Sequence, residues 1–318
     1  MTRHSLFSHF LILVAVLLAL TPSTGHAAPL SQLASAGLSP YGVALDQQGR
    51  LYVTDPDHAH LLQYSPSHHL LHVWGSLGHG PGQFVAPEGV AVDHHNTIYV
   101  NDSGNSRIVR LSAQGKVLGQ FGSFGHRPGQ FIMEHDLAVD AQDHVYVLDQ
   151  QDLDHSRIEQ FTATGRLLAI YSLDGLNLTG KGYEAHGLAV DRWGRLYTAI
   201  TDRWNVWVQQ LSSHGVPLRR FGSYGTGWGQ LQRPGGIAVD GQGTVAVSDA
   251  DGAVVQRYRA DGTPLSRWGS FGHGLGQLNV PIGLALDSSG GLYVADSFNA
   301  RIQWFSGATG VARWSSFS

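Results

Sequence analysis

The sequence predicts an all-β protein, a six-bladed β-propeller of four-stranded antiparallel blades. Three observations carry this. A short phrase, Gly-Val-Ala-Val-Asp or a near copy, occurs six times, and its closing Asp stands at positions 46, 93, 140, 191, 240 and 287, at intervals of 47, 47, 51, 49 and 47 residues. Self-similarity at such a period marks a repeated supersecondary unit, and a ring of four-stranded units is a propeller. Each phrase is followed by a second apolar strand such as Ile98-Tyr99-Val100-Asn101, and a Gly-rich connector links successive units.

Within the second repeat, residues 89–93 form the innermost strand, 98–101 the second, 108–111 the third and 117–121 the outer one. The two inner strands are almost continuously apolar, as expected for sheets buried on both faces between neighbouring blades. The recurring aspartates lie in the turn after the first strand, where a carboxylate bonds the turn backbone and Gly supplies positive φ. They are read as structural. The connector Phe121-Gly122-Ser123-Phe124-Gly125 with Gly129-Gln130-Phe131 returns as Phe221-Gly222-Ser223-Tyr224-Gly225 with Gly229-Gln230-Leu231, and as Trp268-Gly269-Ser270-Phe271-Gly272 with Gly276-Gln277-Leu278. No helix follows these glycines, so they are not a phosphate loop.

These motifs in combination resemble those of NHL-repeat proteins over residues 38–318: Pro-x-Gly-Val-Ala-Val-Asp, then Ile-Tyr-Val-x-Asp-Ser-x-Asn-x-Arg-Ile, then Phe-Gly-Ser-x-Gly-x-x-x-Gly-Gln-Phe. The resemblance implies that the Asp and Arg of the second motif are framework residues, here Asp102 with Arg107, Asp149 with Arg157 and Asp296 with Arg301. The first, fourth and fifth repeats place His60, Trp207 and Val254 at the Arg position.

The chain opens with Arg3, an apolar run over residues 10–20 and a small-residue stretch ending at Ala27. This reads as a secretory signal peptide over residues 1–27, cut after Ala27, followed by a short leader over 28–37 and the propeller over 38–318. The run is short for a membrane span, so no stable membrane anchor is expected after cleavage, and the protein is expected to be periplasmic or extracellular. The chain has no Cys, hence no disulfide. Residues 1–27 carry one Arg and no acid, so their removal takes the formal charge from −4 to −5. A mildly acidic surface argues against nucleic acid as a partner. The 18 His fall mostly in turns, such as His94 and His95, and are read as surface residues.

In an up-and-down blade the connector entering the inner strand shares a face, the top, with the loop between the second and third strands. The residues just before the inner-strand Gly position are Tyr41, Glu88, His135, His186, Gly235 and Ile282. They fall at the mouth of the central channel, where propellers commonly place ligands. The third repeat departs most: Asp136 replaces Gly, Glu134 replaces Pro, and the loop from Asp149 to Arg157 is lengthened and carries Asp152, Asp154 and His155. The connector over 171–185 also loses its pattern. Clustering of departures on adjoining repeats and one face points to a site. Glu88, His135 and His186 are candidate metal ligands, with Zn the expected ion for two imidazoles and a carboxylate. Asp136 is the candidate catalytic group, and Tyr41, Asp152 and His155 are candidate ligand-binding residues.

Met133-Glu134-His135-Asp136 and Ala185-His186-Gly187-Leu188 resemble zinc-binding phrases of peptidyl-α-hydroxyglycine α-amidating lyase, which implies His135 and His186 as zinc ligands and Asp136 beside the reaction centre. The chain departs from that family in using adjacent blades, in lacking a third His, and in having Asp102-Ser103-Gly104-Asn105 where the lyase has a Tyr-bearing loop. Glu88-Gly89 is similar to the Glu-Gly of gluconolactonase-like propellers, but His135 and His186 do not suit an oxygen-rich shell. Two functions are therefore expected to compete: a scaffold binding a protein, peptide or polysaccharide through its top face, and a metal-dependent lyase or hydrolase at the channel mouth.

Overall fold

The computed structural model describes residues 37–176, 182–203 and 205–316. Six antiparallel four-stranded sheets occupy residues 43–74, 87–121, 134–172, 183–221, 234–268 and 281–315, and are called blades 1 to 6. In each the strands run in sequence order from the channel outward, so every blade comes from one contiguous stretch. The innermost strands are Val43–Leu45, Pro87–Val92, Glu134–Val139, Tyr183–Val190, Pro234–Val239 and Pro281–Leu286. Helix is confined to single 3-10 turns at Ser103–Asn105, Asp174–Leu176 and Ser297–Asn299. No described helix is long and apolar enough to cross a membrane. The signal-peptide and leader residues up to position 36 lie outside the described residues.

The core is divided into six apolar clusters, each between two neighbouring blades. The second strand, Ile98–Asp102 in blade 2 and its counterparts, is buried throughout in five blades, as its apolar run predicts. The outer strands of blades 2 and 3, Val117–Phe121 and Leu167–Ser172, alternate because one of their faces meets water. Blades 6 and 1 meet through Ala285, Tyr293 and Ala295 against Val43, Val53 and Leu62. The Gly283 N–H donates to Tyr41 O at 3.0 Å, Ser297 Oγ donates to Pro40 O at 2.6 Å, and His68 bonds Tyr293 Oη at 2.8 Å while stacking on Trp314.

All six recurring aspartates act on their own turns. Asp93 Oδ1, for example, accepts from the backbone N–H groups of His95 and Thr97, and Asp46, Asp140, Asp191, Asp240 and Asp287 repeat the arrangement. The framework pairs also form. Arg107 Nε lies 2.7 Å from Asp102 Oδ2, and its other nitrogens donate to the carbonyls of His79, Gly80 and Gln83 in the preceding connector. Arg301 repeats this with Asp296 and the carbonyls of His273, Gly274 and Gln277. Arg157 instead reaches Asp149 through Nη2 at 3.2 Å, its Nε being without a partner, and donates to the carbonyls of His126, Arg127 and Gln130.

Candidate functional site at the channel mouth

The inner strands pack so closely around the channel that their glycines are obligatory. A Cβ on Gly42 would sit 2.3 Å from Glu88 O, and one on Gly283 2.2 Å from Tyr41 O. Blade 3 breaks this rule with Asp136. Its Oδ2 accepts from the Leu188 N–H of blade 4 at 2.9 Å, and its Oδ1 from the Leu137 N–H at 2.8 Å. Room for the side chain comes from blade 4, whose inner strand bulges between His186 and Leu188, with Gly187 at φ 61°. Positive φ there suits Gly.

Above these strands lies a cavity of about 60 Å³. A water needs ~10–15 Å³ of such space, so it holds a few waters or a small polar group. Tyr41, His135, Asp136, His186 and Ile282 line it together with inner-strand glycines. The His135 and His186 rings lie 5.9 Å apart. Burial, with His186 beside it, pushes His135 down to about 4, which keeps the imidazole neutral at pH 7; its Nε2 has no hydrogen-bond partner. Burial pushes Asp136 up to about 6, against the two backbone N–H bonds that favour its charged form. Tyr41 is held well above its ordinary value, first by the charge of Glu88 and then by burial.

The structure brings Tyr41, His135, Asp136 and His186 to one opening, with Glu88 close enough for its charge to act on Tyr41 and Asp136; Asp152 and His155 lie elsewhere. Burial pushes Glu88 up to about 8, and its carboxylate interacts with Ser103 of its own blade. Among the described residues, Glu88, His135 and His186 do not bring their donor atoms within 4.8 Å of one another as a set of three, so as placed they do not fit a three-ligand zinc centre. Asp152 and His155 are exposed and pair with each other at 2.7 Å, and neither lines the cavity. Their loop is drawn toward blade 4: Asp154 accepts from the Gly182 N–H, and Leu153 O from the Tyr183 N–H.

One group escaped the site assignment. Glu134 is 1% exposed and both its carboxylate oxygens lack a hydrogen-bond partner. Burial pushes it up to about 9, with Asp149, Glu88 and Asp102 adding in the same direction. Its signal in the sequence is the loss of the Pro that stands at positions 40, 87, 234 and 281.

The top face has a second feature. Each patterned connector folds back on itself, pinned by a fully buried Phe84, Phe131, Leu231 or Leu278. The residue after its Gly-Ser pair is turned outward: Leu77 is 70% exposed, Phe124 73%, Tyr224 60% and Phe271 70%.

Residues 278–305 match the NHL repeat family model. No curated protein sequence matches the chain. Solved structures with the same fold include a propeller in a nidogen/laminin complex (TM-score 0.61, 17% identity, covering 81% of this chain and 90% of that one). A gluconolactonase from Xanthomonas campestris is similar (0.59, 17% identity, 81% and 83%). So is a catalytically inactive virginiamycin B lyase from Staphylococcus aureus with quinupristin (0.58, 12% identity, 88% and 85%). The solved structures share the six-bladed fold, and the repeat match places an NHL-type unit in blade 6.

Proposed function

We propose that this NHL-repeat propeller is an exported binding scaffold that docks a protein, peptide or polysaccharide on its top face. The observation that carries the reading is the outward apolar side chain at one structural position in four connectors, Leu77, Phe124, Tyr224 and Phe271, on the face where Tyr41, His135 and His186 line the cavity. Exposed large apolar groups cost solubility and recur where a surface is covered by a partner. An extended partner can cover these rim residues and insert a small group into the cavity that His135 and His186 line. Export is supported by the apolar run at residues 10–20 and the small residues before Ala28. The nidogen/laminin complex supports protein binding as a use of the fold.

The test uses defined probes: a random-peptide display library and a panel of immobilised polysaccharides, screened with the mature chain. A probe retained by the wild type should lose at least about tenfold in affinity to the triple variant F124S/Y224S/F271S, as expected for loss of apolar anchors. The variant should keep its thermal melting profile, since these side chains are exposed. Equal retention by wild type and variant overturns the reading, as does the absence of any retained probe.

A second reading, a metal-dependent lyase or hydrolase, rests on His135, His186 and Asp136 sharing one cavity. In that reading Asp136, titrating near 6, moves the proton. It requires Glu88 to leave Ser103. Stoichiometric zinc in protein from the native host, lost in H135A/H186A, would favour it over the scaffold.

A further inference from the structure

On the face opposite the channel mouth, the turns after the inner strands of blades 2 and 3 bring together His94, His95 and Asp143. One donor atom from each lies within 4.8 Å of the other two, and theirs is the group of three His or acidic side chains so arranged among the described residues. His94 Nδ1 lies 2.6 Å from Asp143 Oδ1, and His95 Nε2 lies 3.3 Å from Asp143 Oδ2. The two imidazole rings are 4.0 Å apart.

We propose that His94, His95 and Asp143 form a surface site for a borderline first-row divalent cation, of which Zn²⁺ is the representative, bridging blades 2 and 3.

Comparison of the six turns sets these residues apart. The two positions after the turn Asp hold Gln47-Gln48, Ala141-Gln142, Arg192-Trp193, Gly241-Gln242 and Ser288-Ser289 in the other blades, and a His pair in blade 2 alone. The position of Asp143 is Gly in blades 1, 4, 5 and 6, and Asn96 in blade 2. All six residues there have positive φ: 76° at Gly49, 62° at Asn96, 60° at Asp143, 76° at Gly194, 85° at Gly243 and 78° at Gly290. The turn asks for Gly, and an Asp there accepts a backbone conformation that costs it energy. What the Asp supplies in return is a carboxylate facing the imidazoles of the next blade. Its approach to His94 does not have hydrogen-bond alignment, for Asp143 Oδ1 is buried and has no hydrogen-bond partner. A cation between the three side chains satisfies that oxygen.

The donor set selects the ion. Two imidazoles and one carboxylate suit zinc and its first-row neighbours, and suit Ca²⁺ and Mg²⁺ poorly. The side chains of His94 and His95 are 42% and 69% exposed, so the ion would keep solvent-facing positions. Because the ligands come from two blades, binding would tie blade 2 to blade 3 and raise the melting temperature by mass action. The site is independent of the channel mouth, from which the length of an inner strand separates it.

The test is a titration of the full chain with Zn²⁺ alone, read by calorimetry and by thermal melting with and without the metal. The histidines of the channel are removed in one arm (H135A/H186A), so that the two faces are read separately. In the decisive arm, Asp143→Gly installs the residue four other blades use. This variant should melt at or above the wild-type temperature without metal. It should lose at least about tenfold in Zn²⁺ affinity, the order of loss seen even for residues that only support a ligand. His94→Gln/His95→Gln should do the same. Wild-type affinity or an unchanged zinc-induced melting shift in D143G would overturn the proposal, as would an H135A/H186A chain that binds no Zn²⁺.

Discussion

Asp136 of blade 3 holds Leu188 of blade 4: its Oδ2 accepts the Leu188 backbone N–H at 2.9 Å, across the boundary between the two blades. At other boundaries the bond ends on a backbone carbonyl: Thr54 Oγ1 donates to Glu88 O, Asn101 Nδ2 to Glu134 O, Ser248 Oγ to Ile282 O and the Gly283 N–H to Tyr41 O. A carboxylate thus stands in for a carbonyl at the one place where an inner strand lacks its glycine.

Replacing Asp136 by Ala should leave the N–H groups of Leu137 and Leu188 without their acceptor. The expected loss is about 1–3 kcal/mol for each unsatisfied group, measured by urea denaturation. A loss below about 0.5 kcal/mol, the range of neutral surface changes, would show that water or backbone movement takes over both bonds.

Glu134 gives the stability a pH dependence of predictable sign. Its folded value is raised from 4.5 to about 9, so the folded state holds the proton more tightly than the unfolded one. The resulting contribution is fully present below about 4.5 and is lost as pH rises through about 9. Glu88, raised to about 8, adds in the same direction. Asp136 and Glu159, raised to about 6 and about 7, add in that direction too, and Glu134→Gln removes the Glu134 titration alone. Unfolding curves of wild type and E134Q should therefore diverge between pH 5 and 9, in favour of the variant at the alkaline end; curves that stay parallel would contradict the burial argument.

The framework arginines should matter more than any surface ion pair. Arg301 is buried with Asp296 and donates to three connector carbonyls. Arg301→Ala would strand that carboxylate and those carbonyls, at a cost of about 3–5 kcal/mol. Arg301→Lys should recover part of this, because a single ammonium cannot reproduce the planar fork. Chemical denaturation of the three proteins gives the order wild type, Lys, Ala; any other order refutes the assigned role.

The N-terminus can be checked by mass alone. Protein recovered from its native host should begin at Ala28, as the residues up to Ala27 predict. Intact mass spectrometry that finds Met1 still present would reject export by this route.

The architecture was readable because repetition supplied its own controls. Six aspartates at one period must share one structural task, and all six bond their turns. The Asp102–Arg107 type of pair was readable for the same reason, since the motif fixes its spacing within one blade. The channel mouth was readable in part. Position along the inner strand placed Tyr41, His135, Asp136 and His186 at one opening. It could not reveal which neighbour would capture a side chain, and Glu88 interacts with Ser103 instead. Nor could it reveal that Asp152 and His155 would neutralise each other in solvent. Glu134 was visible as a lost Pro, but its isolation depends on packing between blades. The nearness of Asp143 to His94 is a property of blade packing, since slightly more than one full repeat of sequence separates them.

Among the described residues, blade 6 is completed by its own outer strand, Ala312–Ser315, and meets blade 1 through side chains and two bonds to the backbone carbonyls of Pro40 and Tyr41, without exchanging a strand. Chain connectivity is therefore not what keeps the circle shut. A circular permutant that joins residue 316 to residue 37 by a short flexible linker, and opens instead within the connector around Gly125, would preserve every sheet. The six positions in the ring are interchangeable as starting points. For a protein of this plan, duplicating or deleting a whole unit is a change of circumference.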